Sequence, residues 1–278
     1  MNRLSVDRQS QIIKVLCEGN SIRSTARITN TAINTVVKLL GDVGAACLAY
    51  QGKTLRNLPC KKLQCDEIWS FVYAKERNVP KEHNGEFGYG DVWTFVALDA
   101  DNKLVVSWLV GLRDPEHALE FTKDVKVRLA NRVQLTTDGH RMYFEAIETA
   151  FGSDIDYAQL IKYYGNEITE SGRYSPPKCT ASKVKRVKGN PDMTAVSTSY
   201  IERQNLTMRM NMRRFTRLTN AFSKKLENHE YALALHFMHY NFVRPHKTLA
   251  NPYPRTPAMA AGIANNIWTI EDIAKLVM

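Results

Sequence analysis

Three acidic side chains, Asp66, Asp138 and Glu202, stand in contexts that give a carboxylate chemical work to do. Asp66 lies inside an apolar run, Leu63 to Tyr73, that reads as a strand, where an unpaired buried charge is costly. Asp138 follows a second short strand-like run, Val133 to Thr137, and precedes Gly139. Strand ends are where α/β sheets place ligands. Glu202 sits early in the segment 198–215. There Ile201, Asn205, Met208, Met212 and Phe215 recur at a helical period and share one mostly apolar face. Three oxygen ligands without Cys or His support suit Mg2+ or Mn2+ better than zinc. Two such ions about 3.5–4 Å apart can activate a water or a 3′-hydroxyl and stabilise the leaving oxygen of a phosphodiester.

The helix carrying Glu202 adds cations. At about 100° per residue, Glu202, Arg209 and Arg213 fall on one line, away from the apolar face. Two turns span about 10.5 Å, too far for Glu202 and Arg209 to neutralise each other. The layout suits a metal-binding carboxylate beside a phosphate-binding rail. The same residues also read as a capping box, Ser199-x-x-Glu202, in which the Glu serves only the start of the helix.

The elements that must position these groups follow a mixed α/β order. Residues 63–250 give three strands, helix, strand, helix, strand and then helices, with a turn at Asp99-Ala-Asp-Asn102 joining two strands into a hairpin. Residues 166–198 break the regularity. Arg173, Lys178, Lys183, Lys185, Arg186 and Lys188 lie there among Gly, Ser and Pro, and a long basic loop of this kind suggests phosphate contact.

Residues 1–45 read as a small all-α unit. A first helix is broken by Glu18-Gly19-Asn20. Ser21 caps a second, Ile22 to Thr29, and a turn at Asn30 and Thr31 leads to a third that ends at Gly41. This is the helix-turn-helix pattern, with Asn34, Thr35 and Lys38 of the third helix facing DNA. A plain three-helix bundle gives the same pattern. Residues 46–62 read as a basic linker punctuated by Gly52 and Pro59, and 251–278 as an extended tail before a short helix from Ile270.

The net charge of +10 favours an anionic partner, nucleic acid above all. The five cysteines form no C-x-x-C pair, which fits reduced intracellular thiols. The start lacks the apolar core of a signal peptide, and the run Leu104 to Leu112 is too short to span a bilayer. The expectation is a soluble intracellular protein with no membrane partner.

Four segments then carry a resemblance. Leu63-Gln-Cys-Asp-Glu-Ile-Trp-Ser-Phe-Val72, Thr137-Asp-Gly139, Tyr200-Ile-Glu-Arg-Gln-Asn-Leu-Thr-Met-Arg209 and Ala221-Phe-Ser-Lys-Lys-Leu-Glu-Asn-His229 resemble, in order, the motifs of the insertion-sequence-one family of bacterial DDE transposases. Tyr240-Asn-Phe-Val-Arg-Pro-His-Lys-Thr-Leu249 is similar to a segment that follows the catalytic helix in many insertion-sequence transposases. The resemblance implies an RNase H-like catalytic domain over 63–250, behind the helix-turn-helix. It implies a catalytic, metal-binding triad at Asp66, Asp138 and Glu202 holding two Mg2+ or Mn2+ ions, and a phosphate-binding Arg209. The implied reaction is cleavage of double-stranded DNA at transposon ends, followed by strand transfer into a target. The implied setting is a homo-oligomer on DNA, in the bacterial cytoplasm at the nucleoid. The interval from Asp138 to Glu202 is long for the family, so 166–198 reads as an insertion. The family's N-terminal cysteine pairs are absent here, so no zinc is implied.

Two rival readings share the composition: a non-catalytic helix-turn-helix regulator, and an RNase H-like nuclease without strand transfer. Other residues have ordinary uses as well. Glu67 reads equally as support for the site or as an ion-paired strand residue, and Trp69 as core rather than as a base-stacking ring. His140 could approach a phosphate or simply pack. His236 and His239 have the spacing of a metal pair or of helix packing. Tyr143, Tyr163 and Tyr164 lack the Arg/His partners of a tyrosine nucleophile.

Overall fold

The computed structural model describes residues 4–165, 179–216 and 221–278. Six strands form one mixed sheet: β1 (Lys62–Val72), β2 (Gly90–Asp99), β3 (Val105–Gly111), β4 (Gln134–Thr137), β5 (Asp156–Tyr164) and β6 (Cys179–Lys188). Their order is β3-β2-β1-β4-β5-β6. β1, β2 and β3 pair antiparallel as a meander, β4 and β5 add in parallel to β1, and β6 returns antiparallel along β5. The hairpin turn is held by Asp99, whose carboxylate accepts from the N–H groups of Asp101 and Asn102.

Helices cover both faces. On one lie α4 (Pro115–Arg128) and α5 (Met142–Phe151), packed through Phe121 and Tyr143 against Phe95 of β2. On the other lies α6 (Ser199–Asn211), whose Asn205 reaches Asp66 while Tyr143 reaches Glu67. Side chains alternate along a strand, so adjacent β1 residues serve opposite layers.

At the N-terminus lie α1 (Val6–Cys17), α2 (Ile22–Ile28) and α3 (Ile33–Thr54); α2 starts after Ser21 as expected, and α3 starts after Ala32 without a side-chain cap. Ser5 accepts from Arg8 N–H and Ser21 from Ser24 N–H. Asn30 takes the positive φ of 45° needed in the turn between α2 and α3.

The third helix does not end at Gly41. It runs on to Thr54, so residues 46–54 of the expected linker are its last turns. Tertiary packing is the cause. Val36, Leu39, Leu40, Val43, Cys47 and Gln51 form a buried stripe, and α3 packs against α7 (Leu226–Met238). Gly44 is a point of close approach, where a Cβ would lie 2.3 Å from Tyr231 Cβ. By length and composition alone α3 is apolar enough to cross a membrane, the one such helix among the described residues. The remainder of the expected linker is also held: Leu55, Leu58 and Cys60 are buried, and Leu58 exchanges backbone bonds with Arg128 and Ala130. The tail packs back as well. Trp268 packs at a tilt against Tyr50 and Phe242, and α9 (Ile270–Lys275), which follows the short α8 (Pro257–Ala260), rests on α1.

Residues 179–188, expected in an irregular basic loop, form strand β6. It lies at the sheet edge with most of its side chains exposed on both faces, so it lacks the apolar alternation by which a half-buried strand is read. Lysines are common on edge strands, where they discourage pairing with other chains. Arg173 and Lys178 lie outside the described residues.

Candidate active site

The parallel pairing of β1 and β4 matches Gln64 with Thr136. Two residues further along each strand stand Asp66 and Asp138, the latter one residue beyond the end of β4. Neighbouring strands lie roughly 4.8 Å apart and residues i and i+2 share a face. Asp66 therefore leaves the sheet on the α6 side, and Asp138, just past the end of β4, lies near enough to raise the carboxyls of both Asp66 and Glu67.

Helix α6 is fastened to this face by β1 itself. The Gln64 amide oxygen accepts from the N–H groups of Tyr200 and Ile201, each at 3.0 Å. These are unpaired donors of the first turn, which every helix must satisfy from outside. The expected capping box is absent. Thr198, not Ser199, is the N-cap, and its hydroxyl donates to Glu202 Oε1 at 2.6 Å. One turn on, Asn205 Nδ2 donates to Asp66 Oδ2 at 2.8 Å, while its amide oxygen is buried without a partner. Gln64 went unread in the sequence, and Asn205 reads there only as a member of the apolar helical face. An amide in an apolar pattern was the signal, since a buried amide must find hydrogen bonds.

The site is electrostatically crowded. Burial, and then repulsion from Glu67, Asp138 and Glu202, pushes the Asp66 carboxyl up to about 7, although Glu67 N–H donates to it at 2.9 Å. Glu67 points to the other layer. It is paired with Arg113 at 2.6 Å and accepts from the Tyr143 hydroxyl at 3.0 Å. Its acidity is also weakened, first by burial and then by Asp138. Tyr143 is fully buried in this contact, which removes it as a nucleophile.

Asp138 Oδ1 accepts from His140 N–H at 2.9 Å, and His140 Nδ1 accepts from Met142 N–H, so His140 shapes the turn into α5. Glu202 is half exposed and contacts the Lys162 ammonium of β5. His236 is buried against Phe237, and burial drives its imidazole down to about 3, the behaviour of a packed neutral ring.

The expected cation rail is divided. Helix α6 stops at Asn211, because Met212 turns to an extended conformation and Phe215 enters the core. Arg209 keeps its place two turns beyond Glu202, whereas Arg213 belongs to a separate short 3-10 turn, off the helical line. Strand alternation splits the β6 residues too. Arg186 pairs with Ala158, which pairs with Thr136 on the carboxylate face. Lys185 and Lys183 pair with Gln159 and Ile161 and face the other way. Lys188 is engaged with Glu148 of α5 at 2.5 Å. In α3, Asn34 and Lys38 are exposed and Thr35 is half-buried, with Lys38 bound to Asp42 at 2.9 Å.

The donor types, though not their present spacing, are those a hard cation takes. Asp66, Asp138 and Glu202 offer only oxygen, their charges repel, and an orphaned amide oxygen lies beside Asp66. Among the described residues no three His, Cys, Asp or Glu side chains are gathered closely enough to enclose an ion; Glu202 is turned to Lys162 instead.

No family profile and no curated protein matches the chain. Among solved structures, one described as the crystal structure of a pre-cleavage Mos1 transpososome is similar to part of it. The identity is 9%, the TM-score 0.21, and the match covers 56% of this chain and 60% of that one. The chain thus spans under two thirds of that protein, and a likeness this slight carries no argument about fold or activity.

Proposed function

We propose that the chain is a DDE-type DNA transposase with an RNase H-like catalytic fold and an N-terminal helix-turn-helix. The observation that carries this reading is the β1–β4 register, which brings Asp66 and Asp138 to adjacent positions under the helix that bears Glu202. The strand order, a three-strand antiparallel meander extended by two parallel strands, supports the RNase H-like assignment.

Asp66, Asp138 and Glu202 would hold Mg2+ or Mn2+, which when bound supplies activation of the attacking hydroxyl and stabilisation of the leaving oxygen. The remaining work falls to the chain. Gln64 and Asn205 fix α6 on β1, so the carboxylates of strand and helix keep their spacing. Arg209 and Arg186 offer guanidinium groups to backbone phosphates on the carboxylate side. Arg213, Lys183 and Lys185 add charge elsewhere on the surface, and Lys188 contributes least because Glu148 neutralises it. Asn34, Thr35 and Lys38 would read base edges. Double-stranded DNA is the substrate, and two DNA ends call for a homo-oligomer.

The test is incubation of the full chain with a plasmid carrying its gene and flanking DNA, with Mg2+, Mn2+ or EDTA. Cation-dependent breaks at fixed flanking positions, and joining of the freed 3′ ends to a second DNA, are the expected result. Sequence-selective binding without cleavage would favour a helix-turn-helix regulator. Cleavage without joining would favour a nuclease.

A further inference from the structure

We propose that Lys162 is a substrate-phosphate ligand of this site and that it shares Glu202 with the divalent cation, so that DNA binding and cation binding strengthen each other. The inference rests on the reading of Asp66, Asp138 and Glu202 given above.

The geometry begins with β5. Its pairing with β4 ends at Gln159, so Leu160 to Tyr164 is supported only by β6 and extends as a two-stranded ribbon past Asp138. Ala158 lies on the carboxylate face, and Lys162, four residues on, lies on it too. Its ammonium contacts Glu202 Oε1, the oxygen that also accepts from Thr198. The lysine side chain is 26% exposed and the glutamate 46%, so water and ions reach the pair. An ion pair this open is weak and easily exchanged.

A lysine is a compact charge on a flexible four-carbon stem. It can swing from a carboxylate to a nearby phosphate without moving the strand. While it rests on Glu202, its charge opposes a divalent cation there. A DNA phosphate that draws it away leaves Glu202 free for the cation. Arg186, on the same face but about 13 Å back along the ribbon by strand rise, is placed for a neighbouring phosphate. Because the two binding events are linked through one contact, each must favour the other by the same factor.

The experiment measures Mn2+ binding to the full chain by the loss of the free-ion spin-resonance signal, with and without a short duplex of arbitrary sequence. For the wild type the duplex should tighten Mn2+ binding about fivefold or more, the usual lower range for coupled sites. Lys162→Gln should bind Mn2+ more tightly than wild type without DNA, and should lose most of the tightening by DNA. Lys162→Arg should restore part of it. Lys275→Gln breaks a comparable exposed ion pair with Glu271 at 2.9 Å and serves as a charge control; its coupling should equal wild type. Wild-type coupling in Lys162→Gln, with Mn2+ binding lost in Asp66→Asn, overturns the role of Lys162 alone. Wild-type Mn2+ binding in Asp66→Asn overturns the carboxylate site on which the role rests.

Discussion

Asn205 donates to Asp66 at 2.8 Å and so ties the helix that carries Glu202 to the central strand of the sheet. The bond does more than pack two elements. It sets one amide donor against a carboxylate that three other carboxylates repel. The site holds excess negative charge, and several measurable properties follow from that.

The first is pH dependence. Asp66 has an ordinary value of 3.8 and is raised to about 7 by burial and its acidic neighbours. A group raised on folding favours the folded state at low pH, and that contribution is lost as pH rises through the folded value. Without divalent cations, wild-type stability should therefore fall between about pH 4 and pH 7 through this group. Asp66→Asn should flatten the fall and be the more stable protein at pH 8. Denaturant titrations at several pH values in EDTA check this; equal pH slopes for the two proteins would contradict it.

Gln64 should matter as much as the carboxylates it never touches. Gln64→Leu keeps the volume but strands the first N–H groups of α6. Leaving buried donors unpaired costs about 1–3 kcal/mol. The expected outcome is a folded protein of lower stability whose cleavage rate falls more than its DNA affinity, since Glu202 loses its anchor. Single-turnover cleavage beside a gel-shift titration separates the two effects.

The split of β6 makes a graded prediction on salt. Each phosphate contact contributes about 0.9 to the slope of log K against log salt on duplex DNA. Arg186→Ala should flatten the slope by about 1. Lys188→Ala should change it little, because Glu148 already holds that ammonium. Equal changes for the two would return β6 to a single undivided rail.

At Gly44 the backbone of α7 lies so close that a methyl group has no room. A Cβ there would meet Tyr231 Cα at 2.6 Å and its carbonyl oxygen at 2.7 Å. Gly44→Ala should destabilise by about 1–3 kcal/mol, although alanine is the better helix former. A melting temperature at or above wild type would mean that α3 and α7 do not meet this way.

Much of this was legible in the residues, and the failures have physical causes. Asp66 stood out because charge inside an apolar run must be used or satisfied, and Asp138 because it stands at a strand end before a glycine. The helix start at Ser21 was readable because capping is local. The end of α3 was not, because Gly41 looks like a stop until Tyr231, far away in sequence, is seen to pack beside Gly41 and Gly44. Likewise Ser199-x-x-Glu202 looked like a box because Gln64, the true partner of the first turn, comes from another element. Strand β6 was hidden by its exposure on both faces, which leaves no hydrophobic period to read.

The central claim is that Asp66, Asp138 and Glu202 act together on a phosphodiester, and Glu202 tests it best because its carboxylate is the one turned to Lys162. The measurement is single-turnover cleavage of the flanking DNA in Mg2+ by Glu202→Gln, with Asp66→Asn and Asp138→Asn alongside and DNA affinity recorded for each. Each substitution keeps shape and removes a charge that a hard cation requires. The account predicts that all three proteins bind DNA near the wild-type level and fail to cleave it. Cleavage at the wild-type rate by Glu202→Gln would contradict it and leave Glu202 as no more than the partner of Thr198 and Lys162.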